Sequence, residues 1–281
     1  MADPSWRELA PGVYVRRHEE LELNCGLVVG QRRALVVDTR STSDRGEDLA
    51  RAVAEVTDVE QVVVNTHAHY DHCFGNSAFR NSQIYAHVRA ADELRATAEH
   101  QREQVIAHLH RTDRGDLAAT YAETEVVLPF YLIEEDVPLD LGGRDVWLLH
   151  GGPGHTDHDL VVAVPDAGTV FWADLVEHGA DPAMEDSFPL EWGRTLRTLL
   201  AHPQVRGYTV GVPGHGDVVG PDFVTRQADQ LCELGTVLAQ ELRSGVREVD
   251  ALVAKCRGLG LQDSTLRDAA VRALETWPHR G

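Results

Sequence analysis

The apolar run Val62-Val63-Val64 opens directly onto Asn65-Thr66-His67-Ala68-His69-Tyr70-Asp71-His72, and this juncture constrains the fold more than any other stretch of the chain. The run has the composition of a buried strand, and three imidazoles and one carboxylate then fall within six residues. Neutral imidazole nitrogen and carboxylate oxygen are the donors that borderline divalent metals such as zinc prefer. A strand-to-loop turn can aim alternate side chains at two neighbouring ions, so two clustered sub-sites fit this density better than one. Isolated histidines are usually surface or capping residues, and this chain holds 15. Three further candidates with small neighbours, read as lying at strand ends, turn the balance toward metal binding: Gly154-His155-Thr156, Ala173-Asp174 and Gly214-His215-Gly216. Glycine beside a ligand lets the backbone approach an ion and take unusual turns.

Around this juncture the chain reads as alternating strands and helices. Gly12–Arg16, Cys25–Val29 and Ala34–Asp38 have strand composition, and Asp44–Val56 repeats Leu49, Val53 and Val56 at helical spacing. From Val88 to Ala122 a broken apolar stripe predicts two helices interrupted near Asp113–Gly115. Strands are expected at Val137–Leu141, Val146–Leu149, Leu160–Val164, Thr169–Ala173 and Tyr208–Val212, with a helix at Trp192–Leu200 between the last two. Beyond Pro221 the chain reads as helical. Neither a repeat at solenoid spacing nor a low-complexity linker divides it, so residues 1–281 are expected to form one domain, with a helical insertion at about 89–122.

Composition excludes some classes of partner. A formal net charge of -19 disfavours phosphate backbones, whose binding needs a basic surface that releases counterions, so nucleic acid is not an expected partner. There is no membrane-spanning run, and Met1–Gly12 lacks the basic start and apolar stretch of a secretory leader, which gives a cytoplasmic expectation. Cys25, Cys73, Cys232 and Cys256 are scattered without paired spacing and fit reduced thiols. Oligomeric state is left open by the sequence.

The motif His67-x-His69-x-Asp71-His72, followed in order by His155, Asp174 and His215, resembles the metallo-β-lactamase superfamily from about Gly26 to Gly220. The resemblance implies an αββα sandwich of two mixed β-sheets packed face to face, with helices on the outer faces and a metal site along one sheet edge. It further implies that His67, His69 and His155 hold a first metal, that Asp71, His72 and His215 hold a second, and that Asp174 bridges them. The expected cofactor is two zinc ions, with iron or manganese possible. Some branches carry cysteine at the Asp174 position, and its absence points away from many secreted β-lactamases. The phrases Val64-Asn65-Thr66-His67, Phe74-Gly75-Asn76, Gly152-Pro153-Gly154-His155-Thr156-Asp157-His158-Asp159-Leu160 and Pro213-Gly214-His215-Gly216 are similar to those of actinobacterial hydrolases of this fold and of polyketide cyclase-thioesterases. One departure is Ala173, where many relatives have glycine before the bridging aspartate.

Two divalent ions about 3.5–4 Å apart can share a hydroxide and polarise a carbonyl, so no serine or cysteine nucleophile is needed. Asp71 is the candidate catalytic carboxylate, able to take or orient the hydroxide proton because an aspartate beside a dication stays ionised. Asp38, closing an apolar strand, is placed to brace a ligating histidine. Cys73 is expected to be a buried thiol, His158 and His178 to stand outside the ligand set, and His108 and His110 to be solvated. Arg89–Ala122, Phe130, Tyr131 and the loop Asp181–Trp192 are expected to border the site, with Phe188 and Trp192 either touching substrate or packing in the core. The preferred reading is hydrolysis of a small ester, thioester or lactone, with a small-molecule substrate. A polyketide cyclase-thioesterase, a β-lactamase and a non-catalytic metal-binding protein are the alternatives.

Overall fold

A computed structural model describes residues 5–278; the start of the segment read for a leader and both ends of the 1–281 span lie outside the described residues. The first sheet contains, in spatial order, β1 (Arg7–Ala10), β2 (Val13–Arg17), β3 (Asn24–Val29), β4 (Arg33–Val37), β5 (Glu60–Val64), β6 (Gln83–His87) and β7 (Tyr131–Ile133). The second contains β8 (Val137–Asp140), β9 (Asp145–Leu149), β10 (Val161–Val164), β11 (Thr169–Glu177) and β12 (Val210–His215), with β12 at its edge. Both sheets are mixed. β1 to β4 pair antiparallel and β4 to β7 parallel, whereas β8 to β11 form an antiparallel meander that β12 joins in parallel.

The period of two along each strand explains the layering. In β4, Leu35 and Val37 face the second sheet, while Ala34 and Val36 face the helices outside. In β10, Val162 and Val164 join that same inter-sheet core and Val161 and Ala163 point outward. A strand covered on both faces must be apolar throughout, which is why these runs read so plainly in the sequence. Outside the first sheet lies α1 (Ser43–Val56), which buries Leu49 and Val53 and ends at Thr57. Outside the second lie α5 (Trp192–Ala201), α6 (Pro221–Arg243), α7 (Val249–Cys256) and α8 (Asp263–Thr276), all packed into one core. Pro221 suits the first helical position of α6, whose lost N–H has no intrahelical partner to miss. Val224, Ala228, Leu231, Leu234, Leu238 and Leu242 then form its buried stripe. The molecule is the αββα sandwich.

The stretch expected to hold two helices forms α3 (Val88–Arg111), a 3-10 turn at Gly115–Leu117 and α4 (Ala118–Ala122). Three strands, β1, β6 and β7, are additions to the sequence reading. They are short, and β7 is half-exposed with no alternation to mark it. β11 continues to Glu177, past the expected stop at Ala173, because Asp174 and Glu177 lie inside a strand that is buried along its whole length. Two ends are thus corrected: Asp174 is interior to a strand, and β12 begins at Val210 and runs to His215. All four cysteines are free thiols. Among the described residues no helix is long and apolar enough to cross a membrane.

Candidate metal centre

β5 delivers the cluster. Its last residue, Val64, accepts the amide of Asp38 at 2.9 Å, and Thr66 immediately beyond donates its amide to Asp38 Oδ1 at 2.8 Å and its hydroxyl to Oδ2 at 2.9 Å. The chain then turns through His67, Ala68 and His69 into the single turn α2 (Tyr70–Cys73), which carries Asp71 and His72. α3 clamps that turn: Gln101 accepts the Tyr70 amide at 2.8 Å and donates to the Ala68 carbonyl at 3.0 Å. His158 Nε2 accepts the Ala68 amide at 3.2 Å and its other nitrogen meets Asp157 at 2.9 Å, so His158 braces the loop and stands outside the cluster. Cys73 is a buried thiol donating to the His69 carbonyl.

The structure brings all seven expected residues together. His67 Nε2 lies 3.1 Å and His155 Nε2 3.0 Å from His69 Nδ1, and the same two nitrogens lie 3.7 and 3.6 Å from Asp174 Oδ2. Beside them, Asp71 Oδ2 is 3.6 Å from His72 Nε2 and 3.5 Å from His215 Nε2, and those two nitrogens face each other at 3.4 Å. Asp174 borders this second group too, with Oδ2 3.4 Å from His215 Nε2 and Oδ1 3.1 Å from His72 Nε2.

The donor set fits divalent cations. Donors around a tetrahedral cation at about 2.0–2.2 Å are separated by about 3.3–3.6 Å, and the distances here, 3.0–3.7 Å, bracket that range. Ring nitrogens turned toward one another cannot all satisfy each other, since each neutral imidazole has one donor and one acceptor. Asp174 Oδ1 is buried with no well-directed hydrogen bond, and His155 Nδ1 is buried with none. A cation accepts every one of the converging lone pairs.

Partners behind the rings fix which nitrogen is free. His72 donates Nδ1–H to Asp38 Oδ2 at 2.8 Å, His215 donates Nδ1–H to the Leu21 carbonyl at 2.8 Å, and His69 donates Nε2–H to Asp186 Oδ2 at 2.8 Å. His67 Nδ1 lies 3.0 Å from the Thr66 hydroxyl, which passes its own hydrogen to Asp38. Each arrangement turns the other ring nitrogen toward the cluster, where it can serve as a ligand once its proton is displaced. Asp38 therefore orients His72 directly and His67 through Thr66, at the cost of a left-handed backbone, φ 63°. Asp186 was not singled out in the sequence, where it sits in a polar loop without pattern.

Two more features hold Asp174 between the groups. Gly214 is obligatory because a Cβ there would stand 1.8 Å from Asp174 Oδ1, so this glycine makes room for the carboxylate and not for an ion. Ala173 takes φ 46°, the conformation for which glycine is the usual residue, at a strain of roughly 1 kcal/mol. The 154–160 loop is tied by Asp159, whose carboxyl accepts the amide and hydroxyl of Thr156 at 2.8 and 2.7 Å; burial pushes that carboxyl up to about 7.

Electrostatics divide the two groups. Burial, followed by the nearby His72, holds His67 well below the ordinary histidine value, and burial takes His155 down to about 4. Burial also opposes charge on His72 and His215, but Asp174 and Asp71 outweigh it, lifting His72 well above its usual value and His215 to about 10. Burial opposes the Asp174 charge as well, yet His72, His215 and His67 draw that carboxyl well down. His69 is raised, because the Asp186 hydrogen bond overcomes its burial. Glu177 also stands beside Asp174 and His215; burial and then the Asp174 charge raise its carboxyl well above the ordinary range.

The other residues singled out in the sequence make contacts of their own. His178 accepts the Asp217 amide at 3.1 Å and packs on Phe223. Phe130 and Tyr131 make their contacts with β6, the Phe130 amide with the Ile84 carbonyl and the Tyr131 ring with Tyr85. Trp192 is fully buried with its indole nitrogen on the Leu175 carbonyl, so it packs in the core while backing His155, 5.7 Å away between ring centroids. Phe188 lies under the Arg272 guanidinium.

The sequence profile of the metallo-β-lactamase superfamily matches residues 20–220, a span that includes all seven clustered residues. The chain belongs to the metallo-β-lactamase superfamily. Solved structures of this superfamily share the fold at low identity. TMB-1 superposes with a TM-score of 0.62 at 17% identity, covering 84% of this chain and 100% of that one. A metallo-β-lactamase from Pontibacter korlensis gives 0.63 at 17%, covering 81% and 98%. Another from Erythrobacter litoralis, with β-mercaptoethanol in its active site, gives 0.61 at 19%, covering 83% and 97%. No curated protein matches the sequence.

Proposed function

We propose that this superfamily member is a dinuclear metal-dependent hydrolase of a small ester, thioester or lactone. The observation that carries the reading is the Asp174 carboxylate, whose Oδ2 lies within 3.4–3.7 Å of ring nitrogens from both donor groups, as a bridge between two cations would. His67, His69 and His155 would hold one ion, and Asp71, His72 and His215 the other; zinc, iron and manganese are all ions that a mixed set of imidazoles and carboxylates takes. Bound there, the ions supply an activated water and Lewis-acid polarisation of a carbonyl.

The chain's own residues do the rest. Asp71 holds or accepts the proton of the attacking water, being the carboxylate of the second group, with only 7% exposure. We infer access from the side of His69 and His215, the members of the seven whose side chains are appreciably exposed, at 25% and 17%. That side is bounded by Leu21, half-exposed and bonded to His215, and by Asp186, bonded to His69. An apolar substrate body beside Leu21 fits this mouth. A polyanion must approach against the net charge of -19 and the Asp186 carboxylate.

A panel of uncharged esters, thioesters and lactones, β-lactams, phosphodiesters and RNA tests the proposal. The expected result is turnover of thioesters or lactones with no cleavage of phosphodiesters. Nucleic-acid cleavage exceeding ester or lactone cleavage tenfold in kcat/KM, about 1.4 kcal/mol, contradicts it.

A further inference from the structure

We infer that Glu177 is an additional oxygen ligand of the position formed by Asp71, His72 and His215, and that it biases this position toward a harder cation, manganese or iron(II), over zinc. The inference rests on the dinuclear reading above.

Glu177 belongs to β11, three residues after Asp174, and is 6% exposed. The pairing of β11 with β12 is irregular here: it passes from Ala173 opposite Pro213 to Glu177 opposite His215. That irregularity, with the left-handed turn at Ala173, sets two carboxylates of one strand against the same histidine. One carboxylate oxygen of Glu177, one of Asp174 and a ring nitrogen of His215 all lie within 4.8 Å of one another.

Its backbone is pinned on both sides by Gln227, which accepts the Glu177 amide at 3.1 Å and donates to its carbonyl at 2.9 Å. Among the described residues no arginine or lysine forms an ion pair with its side chain, and the charged groups around it are the carboxylates of Asp174 and Asp71 and the rings of His215 and His72. Buried carboxylates crowded together this way are strongly unfavourable unless a cation joins them. Asp174 Oδ1 in the same cluster is buried without a directed hydrogen bond, an independent sign that a cation belongs there. With Glu177 included, this position offers three carboxylates and two imidazoles, against three imidazoles and the shared carboxylate at the other. Carboxylate-rich sets suit manganese and similar hard ions, and a fifth donor exceeds zinc's tetrahedral preference.

The test uses the full chain, stripped with chelator and titrated separately with Zn(II), Mn(II) and Co(II), as wild type, Glu177→Gln, Glu177→Asp and His178→Ala. Metal content, calorimetry and the visible spectrum of the Co(II) form are read, with circular dichroism as the check on folding. Wild type should bind two equivalents in two steps. In Glu177→Gln one of the two steps should lose at least about tenfold in Mn(II) affinity with less change for Zn(II), the other step should hold, and the Co(II) bands should intensify as coordination falls. Glu177→Asp, which keeps the charge but withdraws the carboxylate by one methylene, should lose the same step and serves if Glu177→Gln does not fold. His178→Ala should leave both steps in place. Unchanged affinities and an unchanged Co(II) spectrum in the Glu177 variants overturn the ligand role while sparing the dinuclear reading; a wild type that takes up one equivalent or none overturns both.

Discussion

The two donor groups share Asp174 yet are supported differently. His72 in the second group leans on Asp38, whose side chain is 2% exposed, and His215 on a backbone carbonyl. In the first group, His69 leans on Asp186, 56% exposed, while His155 Nδ1 has no partner at all. A buried carboxylate behind an imidazole fixes its ring and raises its basicity more than an exposed one, where water competes. The second group is therefore the carboxylate-rich, proton-retaining half and the first the nearly neutral half. Asp38 links them, because it also reaches His67 through Thr66.

The largest effect should come from removing what the groups share. Asp174→Ala deletes the bridge and should lower kcat/KM by more than the ~10–100-fold typical of residues that only orient ligands, with loss of metal from the second position measured by elemental analysis. His178→Ala, outside the cluster, should leave metal content and turnover near wild type. Equal losses in the two variants would mean the bridge is misplaced.

Next, the supports can be compared directly. Asp38→Asn turns an amide against Thr66 or His72 and should weaken metal binding by about 10–100-fold, felt at both positions. Asp186→Asn should cost less than about tenfold and only at the first, since solvent already screens that contact. Calorimetric titration of the two variants distinguishes these outcomes, and a larger loss for Asp186→Asn would reverse the assignment of rigid and soft halves.

The smallest effect is a difference in slope with pH. In chelator-treated protein, His72 is raised well above and His215 to about 10, so both carry protons that a metal must displace; at the first group only His69 is raised, while His155, at about 4, is already neutral. Lowering the pH through this range should weaken both positions, the second more steeply, by about one further power of ten per pH unit. Titrations at pH 6.5, 7.5 and 8.5 measure it, and parallel slopes would remove the electrostatic distinction.

Which parts were readable in advance follows the same division. The seven clustered residues announce themselves because His67, His69, Asp71 and His72 are dense in sequence and follow an apolar strand, and Asp38 because an acid closing such a strand is conspicuous. The strands buried on both faces were equally plain. Asp186 was hidden because its role arises only where a polar loop returns to His69, 117 residues away in sequence. Glu177 was masked differently: an acid within an apolar run reads as the end of a strand, although β11 continues through it. The aromatic pair Phe130 and Tyr131 stands out in the sequence for its chemistry alone; in the fold the Tyr131 ring packs on Tyr85 of the neighbouring strand β6 and Phe130 is exposed.

The most direct test of the account is the metal content of the purified full chain. Elemental analysis after supplementation and desalting should find close to two equivalents of zinc, iron or manganese per chain, and chelation should remove both the metal and the hydrolysis. A content that stays near zero in a preparation with full hydrolytic activity would contradict the central claim.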